Sequence, residues 1–268
     1  MRRVFLMMVL LGGTGCATQV AKDPIAAVKP GGEKPIAFQH SILSGHDAAV
    51  LVGAEHLRVG DILLSAAKGL TSAGIRLFTL APVSHAALYI GGDQVAEAVG
   101  DGVRVRSLQA VIDEESMVAA FRNPRVDEAS GERIRDFAQA RVGGQYNYVG
   151  VLMQAPFTIE RRLCELPMVS ETLRDACIQG IASVQLGRRA VRDDRFFCSQ
   201  LVLEAYRQAG VPLTRAEPAW ISPADILHMR EGDVSSVQIE QPLSYVGHLK
   251  LPDAPLPQGE ASRPAAGG

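Results

Sequence analysis

The chain has 268 residues, 47% of them hydrophobic, with 27 basic against 29 acidic side chains and a formal net charge of −2. No basic excess or patch marks a nucleic-acid binder, and none is expected as a partner. The length suits one larger α+β domain with short extensions.

The N-terminus reads as an export signal. Arg2 and Arg3 precede an apolar run, Val4 to Leu11, of 8 residues. A bilayer needs about 20, so the run is a cleaved signal and not a membrane span. Gly12-Gly-Thr-Gly15 then leads into Cys16. Small residues before a Cys resemble a bacterial lipobox, although Gly13 stands where that pattern usually has Leu. The resemblance implies a lipoprotein signal peptide over residues 1–16, with Cys16 as the lipidated, palmitate-bearing residue. An ordinary signal with an incidental Cys is the alternative. Acyl chains contribute about 0.8 kcal/mol per buried methylene, enough together for a stable anchor. Ala17 after the Cys, rather than Asp, is similar to the enterobacterial sorting pattern for the outer membrane, facing the periplasm. Residues 17–50 carry Pro24, Pro30, Gly31, Gly32 and Pro35 and read as a flexible tether.

The domain is expected over residues 51–251. Gly60 to Ser65 reads as a strand entered by a turn. Ala66 to Leu80 has helical spacing through Leu70, Ile75 and Leu77, weakened by Gly69 and Gly74. Strands follow at Ser84 to Ile90, Val95 to Val99, Val103 to Arg106 and Met117 to Arg122. The Gly91-Gly-Asp93 and Gly100-Asp-Gly102 turns separate them and favour an antiparallel sheet. A helix is expected from Ser130 to Arg141, with Ile134, Phe137 and Ala138 inward. Residues 150–192 form a mixed insertion holding Cys164 and Cys177. A helix starts at Cys198, with Leu201, Val202, Ala205 and Ala209 on one face, and stops at Gly210. Ser222 then caps a helix with Pro223 at its first position, and Gly247 to Leu251 reads as a last strand. The tail, 252–268, is rich in Pro, Gly and Ala and reads as disordered.

Cys198 is the residue that chemistry can use. At a helix start its pKa can fall from about 8.5 to roughly 3.5–7.5, which produces a thiolate nucleophile. A thiolate needs a base and a group that orients the base. His85, in the second strand, is the candidate base. Glu97, in the third, is the candidate orienter, because a carboxylate among Ala and Val needs a partner. Taken singly, each has a plainer reading: Cys198 as a buried core thiol, His85 as a structural histidine, Glu97 as a solvent-facing residue on an edge strand. A metal site is a poor fit, since His85, Glu97 and Cys198 lack short ligand spacing. No metal and no cofactor is expected.

Several segments occur in a telling order: Gly60-Asp-Ile-Leu-Leu64, Ser84-His85-Ala-Ala-Leu-Tyr-Ile-Gly91, Val95-Ala-Glu97-Ala98, Gly144-Gln-Tyr146-Asn-Tyr148, Asp193-Asp-Arg-Phe-Phe-Cys198-Ser-Gln-Leu-Val202 and Ser222-Pro-Ala-Asp-Ile226. Strand His, strand Glu, then Cys at a helix start resembles the circularly permuted papain-like proteins of the NlpC superfamily, most closely the YiiX-like and YaeF-like members. The resemblance spans about residues 55 to 228. It implies an α+β, circularly permuted papain-like (NlpC-type) fold: an antiparallel sheet packed with helices, with the catalytic Cys at a helix N-terminus. It implies Cys198 as nucleophile, His85 as base and Glu97 as orienter, with Tyr146 either lining the substrate site or simply packed. Two departures stand out: the segment between Tyr148 and Asp193 is long, and Gln200 stands where relatives often carry Glu. If Cys16 carries lipid and Cys198 reacts, Cys164 and Cys177 remain, as a disulfide or as two buried thiols. The expected function is a thiol hydrolase or acyltransferase acting on an amide or ester of an envelope lipid, lipoprotein or peptidoglycan peptide. The alternative is an inactive lipoprotein that binds a lipid or wall fragment in the same cleft.

Overall fold

The computed structural model describes residues 49–67, 83–147 and 195–252, with the shorter stretches 18–20, 36–39, 164, 173–174, 176–177 and 180–181. Cys16, most of the expected helix over 66–80, most of the 150–192 insertion and nearly all of the tail lie outside the described residues. Strands β1 (Thr18–Val20) and β2 (Ile36–Phe38) form an antiparallel pair of their own. They fall inside the segment expected as a flexible tether.

The main sheet has six strands. In chain order they are β3 (Ile62–Ala67), β4 (His85–Gly91), β5 (Gln94–Val99), β6 (Gly102–Ser107), β7 (Glu115–Arg122) and a last strand over Ser244–Lys250. Two short strands, β8 (Gln145–Tyr146) and β9 (Arg195–Phe196), come between β7 and the last, which is therefore β10. The sheet order is β10-β7-β3-β4-β5-β6, and every neighbouring pair is antiparallel. Tight turns at Gly91 to Asp93 and Gly100 to Asp101 let β4, β5 and β6 follow one another as hairpins. Gly102 is required where it stands. Its φ is +119°, and a Cβ there would lie 2.3 Å from the Gly144 carbonyl oxygen.

The sheet is packed with α-helices, among them α1 (Leu108–Glu114), α2 (Glu128–Ala140), α3 (Cys198–Gln208) and α4 (Pro223–Leu227). Helices α2 and α3 pack on each other and on β4. Their Ile134, Ala138, Val202, Ala205 and Tyr206 join Ile62, Leu64, Leu88, Ile90 and Phe121 in the larger core. The opposite face of the sheet is covered as well. Leu63, Ala87, Tyr89, Val95, Val118 and Ala120 pack against Leu108 and Val111 of α1. This double cover explains β4, where five successive residues between His85 and Gly91 are buried instead of every second one.

Three expectations change. Ala66 and Ala67 continue β3 and pair with Met117 and Glu115, so they do not begin a helix. The helix expected from Ser130 starts at Glu128, because Asp127 is the cap and Ser130 is the third residue of a capping box. Helix α1 was not expected at all. Its 7 residues are too short to show a period, and only the Ser107 cap, which accepts from the Ala110 N–H, announces it.

Candidate active site

The site is assembled at one end of α3. Phe197 is the extended N-cap residue and makes no side-chain cap. The N-cap side chain therefore takes none of the first N–H groups of the helix, and that of Ser199 turns to the Cys198 side chain. The strand that delivers Cys198 is held by parallel pairing of Gln145 with Arg195 and of Tyr146 with Phe196. The Asn147 N–H extends this by donating to the Phe196 carbonyl at 3.1 Å. On the helix itself, the Ser199 hydroxyl donates to the Ile221 carbonyl at 2.6 Å. The Asn147 amide donates to Gln200 Oε1 at 3.4 Å, so Gln200 serves here as a buried scaffold residue. The Tyr206 hydroxyl donates to the Gly60 carbonyl and ties α3 to the entry of β3.

His85 opens β4 and pairs across the ladder with Ser65. Its Nε2 lies 2.8 Å from Glu97 Oε2. That leaves the other ring nitrogen, Nδ1, for the hydrogen bond between His85 and the Cys198 side chain. The three residues come from β4, β5 and the start of α3, and the structure brings them into one connected chain. Cys198 and Glu97 are buried, and the His85 side chain is 14% exposed.

The electrostatics favour a charged arrangement. Burial by itself lowers the His85 pKa, but the hydrogen bonds and charges of Cys198 and Glu97 outweigh it and push His85 up to about 10. Burial opposes ionisation of Cys198, and the His85 hydrogen bond and charge, with the N–H groups of Ala86 and Ser199, pull its pKa below the ordinary thiol value. Burial also opposes the Glu97 carboxylate, yet His85, Arg104 and Arg106 hold it down at about 2. The site can thus hold a thiolate, an imidazolium and a carboxylate in a row.

The cluster also contains side chains not foreseen from the sequence. Glu97 sits directly opposite Arg104 in the β5–β6 ladder, and Val95 opposite Arg106. Arg104 Nε and Nη2 reach Glu97 Oε1 at 2.9 and 2.8 Å, and Arg106 Nη1 reaches the same oxygen at 3.5 Å. Nearby Glu115 is buried, and that burial pushes its carboxyl above its ordinary range. The alternation in Gly102-Val-Arg-Val-Arg-Ser107 was the available signal, since it puts both arginines on one face of a strand next to Glu97.

Tyr146 is half-buried and packs against a small cluster of Ala98, Val103, Phe196 and Leu201. Cys164 and Cys177 are joined in a disulfide, and Cys198 is the free thiol among the described residues. Among the described residues no group of three or more His, Cys, Asp and Glu gathers as a metal cage, and no helix is long and apolar enough to cross a membrane.

No protein-family model matches this chain. The probable lipoprotein peptidase YaeF of Escherichia coli (strain K12) is 38% identical over 252 residues, covering 92% of this chain and 92% of that protein. Among solved structures, the metalloprotein YiiX of Escherichia coli O157:H7 is 18% identical with a TM-score of 0.39, covering 60% of this chain and 71% of that one.

Proposed function

This chain belongs to the YaeF-like family, and we propose that it is a cysteine hydrolase of the cell envelope, with Cys198 as nucleophile, His85 as acid and base, and Glu97 as the group that orients His85. The observation that carries the proposal is the unbroken chain from the Cys198 side chain through His85 to Glu97 Oε2, at 2.8 Å, with the thiol at a helix start. A merely structural thiol would not be held below its ordinary pKa by a histidine that is itself held charged. The order His, Glu, Cys on two antiparallel strands and a helix supports the permuted papain-like architecture.

The chemistry runs in two halves. The Cys198 thiolate attacks the carbonyl carbon, and the carbonyl electron pair moves onto oxygen. The backbone N–H of Cys198 at the start of α3 donates to that oxygen. As the tetrahedral adduct collapses, the bond to the leaving group breaks, and His85 gives it the proton from Nδ1. A thioester to Cys198 and a neutral His85 remain. Water then attacks the thioester while His85 takes its proton. The acid leaves, and the thiolate–imidazolium pair is restored. An acceptor hydroxyl or amine in place of that water would make the same site an acyltransferase.

The substrate we propose is an amide or ester of an envelope molecule, with a lipoprotein first among them and an acylated lipid or a peptidoglycan peptide next. The relative is named a probable lipoprotein peptidase, and the export signal of this chain would put the site in the same compartment. Residues 1–16 would then be the signal and Cys16 the lipid anchor, holding the domain on the outer membrane facing the periplasm. A thiol-reactive acyl probe tests the site. Wild-type protein is expected to label at Cys198, and Cys198→Ala and His85→Ala are expected to lose that label. Equal labelling of wild type and Cys198→Ala would remove the reading. Alkylation that rises only near the ordinary thiol range would instead favour a lipoprotein that binds a ligand without turning it over.

A further inference from the structure

We propose that Arg104 and Arg106 are positioning residues that keep the Glu97 carboxylate ionised and aimed at His85. The inference rests on the reading of Cys198, His85 and Glu97 as the catalytic set, and it extends that set on its far side.

The two oxygens of Glu97 are divided between partners. Oε2 faces His85 Nε2 at 2.8 Å. Oε1 is taken by Arg104, through Nε at 2.9 Å and Nη2 at 2.8 Å, and is approached by Arg106 Nη1 at 3.5 Å. With Oε1 occupied, the carboxylate cannot turn freely about its last torsion. Only Oε2 is left for the imidazole, so Nε2 is held on the carboxylate and Nδ1 faces the thiol. A guanidinium suits this task because it stays charged and its donors lie in a fixed plane.

Arg106 is itself held in place. Its Nη2 donates to the Ala110 carbonyl and its Nη1 to Glu114 Oε2, both at 2.7 Å. The short helix α1 thus acts as a bracket for the clamp. The charged groups around Glu97 are His85 from β4, Arg104 and Arg106 from β6, Glu114 from α1, Glu115 from the start of β7, and Cys198 from α3. Glu97 is 3% exposed. Burial opposes the charge on a carboxylate this enclosed; His85 counters that first, and Arg104 and Arg106 add to it from the other oxygen.

Carbon-13 carboxyl NMR of Glu97, identified by comparison with Glu97→Gln, tests the clamp in the full chain. In wild type Glu97, held at about 2, should stay ionised through the mildly acidic range. In Arg104→Gln its midpoint should rise by about 1–3 units, because a paired opposite charge within hydrogen-bond reach is lost. Arg104→Lys should bring the midpoint back toward the wild-type value. A residue that only packs would not move that titration. An unmoved midpoint in Arg104→Gln would overturn the proposal, and the Arg104→Gln/Arg106→Gln double variant should move it further. Arg104 is 45% exposed, so the single variant decides the matter even where the double variant fails to fold. Alkylation of Cys198 in the wild-type protein, read beside this titration, separates the two readings. An inert Cys198 would sink the enzyme, while the Glu97 midpoint would still report on the clamp.

Discussion

Glu97→Gln keeps the size and one acceptor of the side chain but removes its charge. In the native site the carboxylate oxygen is 2.8 Å from His85 Nε2. Two unit charges at that separation attract by about 6 kcal/mol at an effective dielectric constant of about 20. Burial of both groups opposes the charged pair, and Arg104 and Arg106 draw on the same carboxylate. A net change of about 1–3 pH units, or about 1.4–4 kcal/mol, is the expected remainder. His85, now held at about 10, should therefore lose its proton at about pH 7–9 in the variant. The direction follows from the raised pKa. His85 is an imidazolium below its midpoint, so lowering that midpoint narrows the thiolate–imidazolium window from its alkaline side. Nitrogen-15 NMR of the His85 ring reads the midpoint, and the pH profile of Cys198 alkylation by iodoacetamide reads the thiolate. Wild type should show a flat plateau through neutral pH. Glu97→Gln should show a lower plateau and a second rise near the ordinary thiol range of about 8.5. Profiles that superimpose, with His85 still near its native midpoint, would refute the coupling between Glu97 and His85.

Two further variants probe the scaffold and the anchor. Tyr206→Phe removes the hydroxyl that donates to the buried Gly60 carbonyl; it should cost about 1–3 kcal/mol in urea unfolding, with Cys198 alkylation at neutral pH unchanged, and equal stability of the two proteins would show that bond to contribute nothing. Cys16→Ser should abolish incorporation of radioactive palmitate and release the protein from membranes, whereas labelling that persists in the variant would exclude lipidation at Cys16.

Much of the sheet was legible because it is built from local instructions. The strand starts after Gly60, the turns at Gly91 to Asp93 and Gly100 to Asp101, and the Ser222–Pro223 helix start all depend on residues a few positions apart. Helix α3 was legible through the spacing of Leu201, Val202 and Ala205 and its stop before Gly210, whose φ is +79°. Helix α1 was not, since seven residues carry too little period. The bounds of β3 were missed for a related reason: Ala66 and Ala67 have no strong local preference, and their pairing with Met117 and Glu115 decides their conformation. Arg104 and Arg106 passed unnoticed because arginines on an alternating strand ordinarily face solvent. Their role depends on the register that sets Glu97 opposite Arg104.

The sequence by itself determined the residue types, their order along the chain and the element each one sits on. Those are matters of short-range spacing, and they made His85, Glu97 and Cys198 candidates, which the resemblance to the YaeF-like members then joined into one set. The tertiary structure alone decided which nitrogen of His85 meets Glu97, which oxygen is left for Arg104, and that the segment carrying Tyr146 braces the strand leading into Cys198. These depend on the stagger of β4, β5 and β6 and on the packing of α3 against β4. A shift of one residue in that stagger would turn every side chain to the opposite face, and no pattern within a single strand records it.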